Sequence, residues 1–215
     1  MMKLHAIIGL VLLTGITLVN GQNPIQLFNG KNLNNWEVVL QSEANPDTVF
    51  FIKDGVLNAG GAPFGYIRTR ESFENYELTL EWRWTGEPTN SGVLLAISGE
   101  DKVWPHCIEA QLRHGSAGDL VLMHEGSKAT VHGVEYAVNP EERWVTVVPK
   151  QSASTEKAPG EWNTYRIRFV NGELEFWVNG RLQMSATNAK PSKGFIGLQS
   201  EGSGIQFRNI EVTKM

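Results

Sequence analysis

The 215-residue sequence has one cysteine and no excess of positive charge, and each shortage excludes a class of protein. Cys107 cannot form an internal disulfide, so the fold must depend on a hydrophobic core of its own. The formal net charge is −4, whereas a nucleic-acid-binding surface needs basic side chains to displace counterions. Four central histidines match no compact metal-ligand spacing, so no metal and no cofactor are predicted: His106, His114, His124 and His132.

Long apolar runs are also scarce, and the clearest one lies at the N-terminus. Lys3 precedes an apolar stretch over 6–19, which Gly and Thr residues interrupt. A basic start, an apolar centre and small residues at the exit predict a signal peptide over 1–21. A membrane anchor is the alternative, but the run is shorter than the roughly 20 apolar residues that a bilayer span needs. We therefore expect a periplasmic or secreted protein with no membrane span in the mature chain.

Hydrophobic residues recur with a period of two, which indicates β-strands rather than helices. Residues 76–84 and 107–113 alternate apolar and polar side chains. The Asn171-Gly172 and Asn179-Gly180 pairs predict type I′ hairpin turns. Residues 115–133 are rich in Gly and His and predict loops around one short strand. The pattern predicts an all-β protein, a concanavalin A-like jelly-roll sandwich of two antiparallel sheets.

Charged and amide side chains occupy the polar faces of these alternating strands. Glu109, Gln111 and Arg113 share one face of their strand. We expect Glu81 and Arg83 to point the same way from a neighbouring strand. Carboxylate, amide and guanidinium groups together match sugar hydroxyls and a developing oxyanion. The alternative is a solvated outer face that carries ordinary cross-strand ion pairs.

The spacing of the acidic residues argues against one common sugar-cleaving mechanism. Retaining glucanases of this architecture place two carboxylates four residues apart on one strand face, about 5 Å from each other. Here Arg113 follows Glu109 at that offset. A histidine is the more natural general acid or base, because its pKa lies near neutrality. Asn90 precedes an apolar strand and is interpreted either as a turn residue or as a ligand contact.

Short motifs occur in order along almost the whole mature chain and resemble the 3-keto-disaccharide hydrolase family. They include Leu27-Phe28-Asn29-Gly30, Asn90-Ser91-Gly92, Ile108-Glu109-Ala110-Gln111-Leu112 and Phe207-Arg208-Asn209-Ile210. This family is also described as 3-keto-glucoside 1,2-lyase and 3-keto-2-hydroxy-glucal hydratase. The resemblance implies a single jelly-roll domain over 22–215. It also implies a small 3-keto saccharide as substrate, which an upstream sugar dehydrogenase would supply.

The resemblance further implies a catalytic scheme without a carboxylate pair at C1. Glu109 would remove the C2 proton, and Glu201 or His114 would protonate the leaving oxygen. Many members carry His-Gly where this chain has Glu201-Gly202, which bears on the choice of acid. Five further side chains are expected to bind or enclose the sugar: Glu81, Arg83, Asn90, Trp104 and Gln111.

Two other functions are alternatives to this predicted enzyme. A non-catalytic carbohydrate-binding module or lectin would suit the same fold, because a fold does not fix a function. An extracellular scaffold protein is the other alternative, although a long linker and a second domain would be expected of it.

Overall fold

Strands make up most of the computed structural model, which describes residues 23–215. In chain order they are β1 (Ile25–Gln26), β2 (Trp36–Leu40), β3 (Phe50–Lys53), β4 (Val56–Ala59), β5 (Gly65–Thr69), β6 (Phe73–Glu74), β7 (Tyr76–Trp84), β8 (Gly92–Ser98), β9 (His106–Gln111), β10 (Leu120–Met123), β11 (Lys128–Val131), β12 (Val134–Ala137), β13 (Val145–Val148), β14 (Asn163–Val170), β15 (Glu173–Val178), β16 (Arg181–Lys190), β17 (Lys193–Ser200) and β18 (Ile205–Lys214). A four-residue helix, α1 (Pro46–Val49), lies between β2 and β3, and Asn45 caps its first turn.

The strands form two antiparallel sheets, which confirms the predicted jelly-roll sandwich. The ten-stranded sheet has the order β12-β11-β16-β15-β14-β7-β18-β4-β3, with β1 beside β18. The eight-stranded sheet has the order β13-β10-β9-β8-β17-β5-β2, with β6 beside β17. Strands distant in sequence are therefore neighbours, and β17 separates β8 from β5.

The core lies between the two sheets and follows the predicted alternation. On β7, the side chains of Tyr76, Leu78, Leu80, Trp82 and Trp84 are buried, and the residues between them are partly exposed. Ile108 and Ala110 of β9 meet the same core from the other sheet. This contiguous core spans both sheets, so the lone buried cysteine does not need to stabilise the fold.

The turn predictions are confirmed, and one loop prediction is wrong. Asn171 and Gly172 both have positive φ, at 51° and 78°, and Asn179 and Gly180 have 49° and 79°. These values are those that a type I′ hairpin requires. The segment 115–133 contains two strands, β10 and β11, rather than one. The second strand was not predicted because the segment is rich in glycine, and Gly126 lies in the tight connection between β10 and β11.

The predicted signal peptide, residues 1–21, lies outside the described residues and stays a prediction. Among residues 23–215 no helix is long and apolar enough to cross a membrane.

Candidate active site

Glu109 lies on the face of the eight-stranded sheet that points away from the ten-stranded sheet, which we call the outer face. Its neighbours on β9, Ile108 and Ala110, enter the core between the sheets. Its cross-strand partners Leu94 and Val121 belong to a separate apolar cluster on the outer face. Alternation along β9 therefore directs the carboxylate to the outer face, on the polar side of the strand and away from Ile108 and Ala110.

The Glu109 carboxyl group is buried and incompletely hydrogen-bonded. The residue is 3% exposed, and its Oε1 atom has no hydrogen-bond partner within residues 23–215. The side chain leans over Gly92, where any Cβ would overlap Glu109 Oε1. Burial, followed by the negative charge of Glu201, raises the pKa of Glu109 to about 8. A carboxyl with such a pKa can exchange a proton near neutral pH.

Two more buried oxygens without partners lie on the side of Glu109 where β8 pairs with β17. Asn90, just before β8, forms an isolated antiparallel bridge with Glu201 at the end of β17. The Ser91 hydroxyl donates to the Gln199 carbonyl at 2.8 Å, which ties these two chain segments together. Asn90 Oδ1 and Gln199 Oε1 are both buried and unpartnered in the described chain. Buried polar atoms are normally satisfied, so such a cluster indicates a place where a polar ligand binds.

Glu201 owes its position to a tight turn. Gly202 has a φ of 105°, a conformation that side chains other than glycine rarely adopt. A Cβ at Gly202 would overlap Thr89 Oγ1, and the backbone N–H of Ser203 donates to that same oxygen at 2.7 Å. The turn therefore holds Glu201 next to Asn90. A second carboxyl thus approaches Glu109 from a different strand, not from position 113.

A cavity of about 460 Å³ opens beside Asn90 and is lined by Pro88, Thr89, Asn90, Arg113 and His114. This volume falls in the roughly 300–1,000 Å³ range of small-molecule sites. Asn90 lies one side-chain row beyond Gly92 on the outer face, and such rows are about 7 Å apart. The cavity and the Glu109 carboxyl are therefore close enough for one saccharide to contact both.

Gln111 and Trp104 lie on the same face, in different roles. Gln111 Oε1 accepts hydrogen bonds from the backbone N–H groups of Leu112 at 2.9 Å and Arg113 at 2.7 Å, so this oxygen stabilises a turn. Trp104 packs on the outer-face apolar cluster, and its ring lies edge-on to Phe64 with 6.4 Å between centroids. Phe64 precedes Gly65, which pairs with Ser200, so this contact lies near Glu201.

Comparison with known proteins identifies the family. The sequence matches the 3-keto-alpha-glucoside-1,2-lyase-like domain over residues 23–213. The chain belongs to this family. Family membership supports a carbohydrate-active function and a saccharide ligand. A search of curated proteins gave no match.

Solved structures show the same fold at low sequence identity. A candidate glycosyl hydrolase from Parabacteroides distasonis ATCC 8503 is 24% identical, with a TM-score of 0.63 over 90% of this chain and 100% of that chain. Another from the same organism is 18% identical, with a TM-score of 0.65 over 89% and 94%. A β-glucanase from Bacillus licheniformis is 12% identical, with a TM-score of 0.57 over 92% and 99%.

In this member of the 3-keto-alpha-glucoside-1,2-lyase-like family, one prediction is wrong: Glu81 and Arg83 do not lie on a strand that neighbours the strand of Glu109. Glu81 and Arg83 lie on β7, which belongs to the ten-stranded sheet and does not neighbour β9. Arg83 donates to Gln206 at 2.7 Å and packs over the Trp162 ring, and Glu81 accepts hydrogen bonds from Arg208 and Asn209. Alternation specifies the face of a strand but not the sheet to which the strand belongs.

Three residues that contact or adjoin the candidate site residues were not predicted from the sequence: Gly92, Gln199 and Glu156. Gln199 is a polar residue in an apolar strand, and that contrast was the available signal. Gly92 leaves room for Glu109, although nothing in its local sequence distinguishes it from a turn glycine. Glu156 lies in a polar segment rich in Ser and Lys, yet its side chain is only 4% exposed. Three of its four partners lie about 40 residues away in sequence, so no local pattern reveals its burial.

Proposed function

We propose that this protein cleaves 3-keto-glycosides by elimination, and that water then adds to the product to complete a net hydrolysis. The observation that carries the proposal is the set of buried, unpartnered oxygens on Asn90, Glu109 and Gln199, beside a cavity of suitable size. Sugar hydroxyls would complete these hydrogen bonds. Membership of the 3-keto-alpha-glucoside-1,2-lyase-like family supports the choice of substrate.

The chemistry follows from the ketone at C3, which makes the C2 proton acidic. Ionised Glu109 removes this proton, and the electron pair forms the C1=C2 double bond while the C1–O bond breaks. Amide N–H groups of Asn90 and Gln199 are suitable donors for the enolate oxygen at C3. Glu201 or His114 protonates the leaving oxygen. Water adds its hydroxyl to C1 and a proton to C2, which gives the free 3-keto sugar.

Of the other residues predicted to bind the sugar, two keep a place in the proposed site and two do not. Gln111 and Trp104 would enclose the sugar from the two ends of the outer face. Glu81 and Arg83 have no part in the proposed reaction, because they lie on the other sheet. We also propose that the protein is exported and that a sugar dehydrogenase supplies its keto substrate. The N-terminal apolar run and the chemistry of the substrate support these two points.

The test is turnover of matched sugars by the purified protein. A 3-keto-glucoside should be consumed, and the parent glucoside should remain intact. Glu109→Gln should lower turnover by about 100-fold or more, because general base catalysis contributes at least that much. Glu81→Gln is the matched control and should stay within about threefold of wild type. Binding of the parent sugar without consumption of the keto sugar would favour the lectin instead.

A further inference from the structure

Glu156 has a buried carboxylate that contacts His114, one of the residues that line the cavity. Its oxygens accept hydrogen bonds from the backbone N–H of Gly115 at 3.1 Å, the backbone N–H of Ala117 at 3.0 Å and the Ser154 hydroxyl at 3.2 Å. Its Oε2 also lies 3.2 Å from His114 Nδ1. Burial of a carboxylate is unfavourable unless it is well satisfied, and four partners satisfy this one.

His114 links this carboxylate to the cavity. The imidazole is 45% exposed and lines the cavity with Asn90 and Arg113. The backbone N–H of His114 donates to the Thr89 carbonyl at 3.0 Å, so the main chain is fixed as well. With Nδ1 held by Glu156, Nε2 is the atom left for a ligand, and it has no partner among residues 23–215. A carboxylate on one ring nitrogen fixes the tautomer and the orientation of the other.

We propose that Glu156 is a positioning residue that holds His114 as the proton donor to the leaving group. The assignment deepens the proposed function and rests on it. The His114 imidazolium gives its Nε2 proton to the oxygen that departs from C1, while Glu109 receives the proton from C2. In the hydration step the neutral imidazole takes a proton from the water whose hydroxyl adds to C1, and Glu109 returns its proton to C2, so both groups regain their starting protonation states.

The geometry favours His114 over Glu201 for this task. Glu201 lies close enough to Glu109 for its charge to oppose ionisation of that base. Glu201 is also held beside the cavity through its bridge to Asn90, but its carboxylate has no hydrogen-bond partner in residues 23–215 to orient it, whereas Glu156 orients His114. His114 lies on the cavity side, where a leaving group of variable size has room.

The experiment compares two 3-keto-glucosides whose leaving groups are methanol and 4-nitrophenol. Methoxide is a poor leaving group and needs an acid, whereas nitrophenoxide leaves without one. His114→Gln and Glu156→Gln should each lower kcat for the methyl substrate by about 100-fold. Both should leave kcat for the nitrophenyl substrate within about threefold of wild type. A purely structural role would reduce both rates alike.

Asp119→Asn is the matched control. Asp119 is also a buried carboxylate of this region and accepts a hydrogen bond from the Lys150 backbone N–H at 2.9 Å, without contact to His114. Its substitution should change both rates by the same factor. His114→Gln keeps the backbone contacts of Glu156, so the test survives if Glu156→Gln destabilises the loop.

Nitrogen-15 NMR of the imidazole separates the possible failures. Wild type should show a proton on Nδ1 of neutral His114, and Glu156→Gln should shift that tautomer. Equal losses on both substrates would overturn the donor role alone. No turnover of either substrate by wild type would overturn the proposed function and the donor role together. An unchanged tautomer in Glu156→Gln would show that Glu156 does not position the ring.

Discussion

Gly92 and Glu109 lie on adjacent strands, and the carboxyl group of Glu109 occupies the space that a side chain at position 92 would fill. Gly92 does not have a left-handed backbone conformation, so alanine is allowed there by its main chain. Only Cγ and the carboxyl group of Glu109 would have to move. This glycine therefore matters for the position of the base rather than for the backbone.

Gly92→Ala should reduce activity much more than stability. Displacement of a catalytic group by about 1 Å can lower the rate about 100-fold, so kcat should fall by 10- to 100-fold. The free energy of unfolding should change by less than about 2 kcal/mol, because a flexible side chain absorbs the overlap. Turnover and urea denaturation measure the two effects. Gly86→Ala, where a Cβ meets nothing within 4 Å, is the control. Full activity in Gly92→Ala would contradict the proposed position of the base.

Glu109→Gln should stabilise the protein at alkaline pH although it lowers turnover by about 100-fold or more. The pKa of Glu109 rises from 4.5 to about 8 on folding. The folded state therefore binds more protons between these values, and wild-type stability falls as the pH rises from about 4.5 to about 8. Each pKa unit corresponds to about 1.4 kcal/mol. Thermal unfolding at pH 5 and pH 8.5 should show that the variant loses less stability than wild type. Parallel loss in both proteins would mean that the carboxyl is not desolvated.

The pH dependence of the reaction should identify the protonation state of Glu109. As the base, it acts only when ionised, so kcat/KM for the 4-nitrophenyl substrate, which needs no acid, should rise with pH and level off above about 8. A decrease of kcat/KM above pH 8 would instead assign Glu109 as a proton donor. A substrate with deuterium at C2 provides the independent measurement. It should react several-fold more slowly if removal of that proton limits the rate.

The sequence predicted the fold more completely than the site. Local alternation was enough to place Glu109 and Gln111 on one polar face, and Asn-Gly pairs were enough to place two hairpins. The same alternation could not exclude Arg83, because sheet membership depends on pairings between distant segments. Gln199 reaches its neighbour Ser91 across 108 residues of sequence. Such contacts are decided by packing of the whole sandwich and leave no local pattern.

Asp101 holds the loop between β8 and β9 against the outer face through hydrogen bonds. Loss of these hydrogen bonds should weaken sugar binding. Asp101 accepts hydrogen bonds from Arg68 Nε at 3.0 Å, Arg68 Nη2 at 2.9 Å and the Tyr66 hydroxyl at 3.1 Å. These contacts hold the pKa of Asp101 below its usual range, so their stabilisation is lost as the pH falls through that lowered pKa. Because the pair is partly exposed, Asp101→Asn should cost only about 1 kcal/mol of stability.

The effect on binding should be larger than this cost suggests, because Trp104 is carried by the same loop. A looser loop would let Trp104 move away from Phe64, so KM should rise several-fold while kcat changes little. Steady-state kinetics and tryptophan fluorescence measure the two effects. Glu100→Gln is the control, because Glu100 forms no hydrogen bond or ion pair with any other residue in 23–215. An unchanged KM in Asp101→Asn would show that the loop does not enclose the sugar.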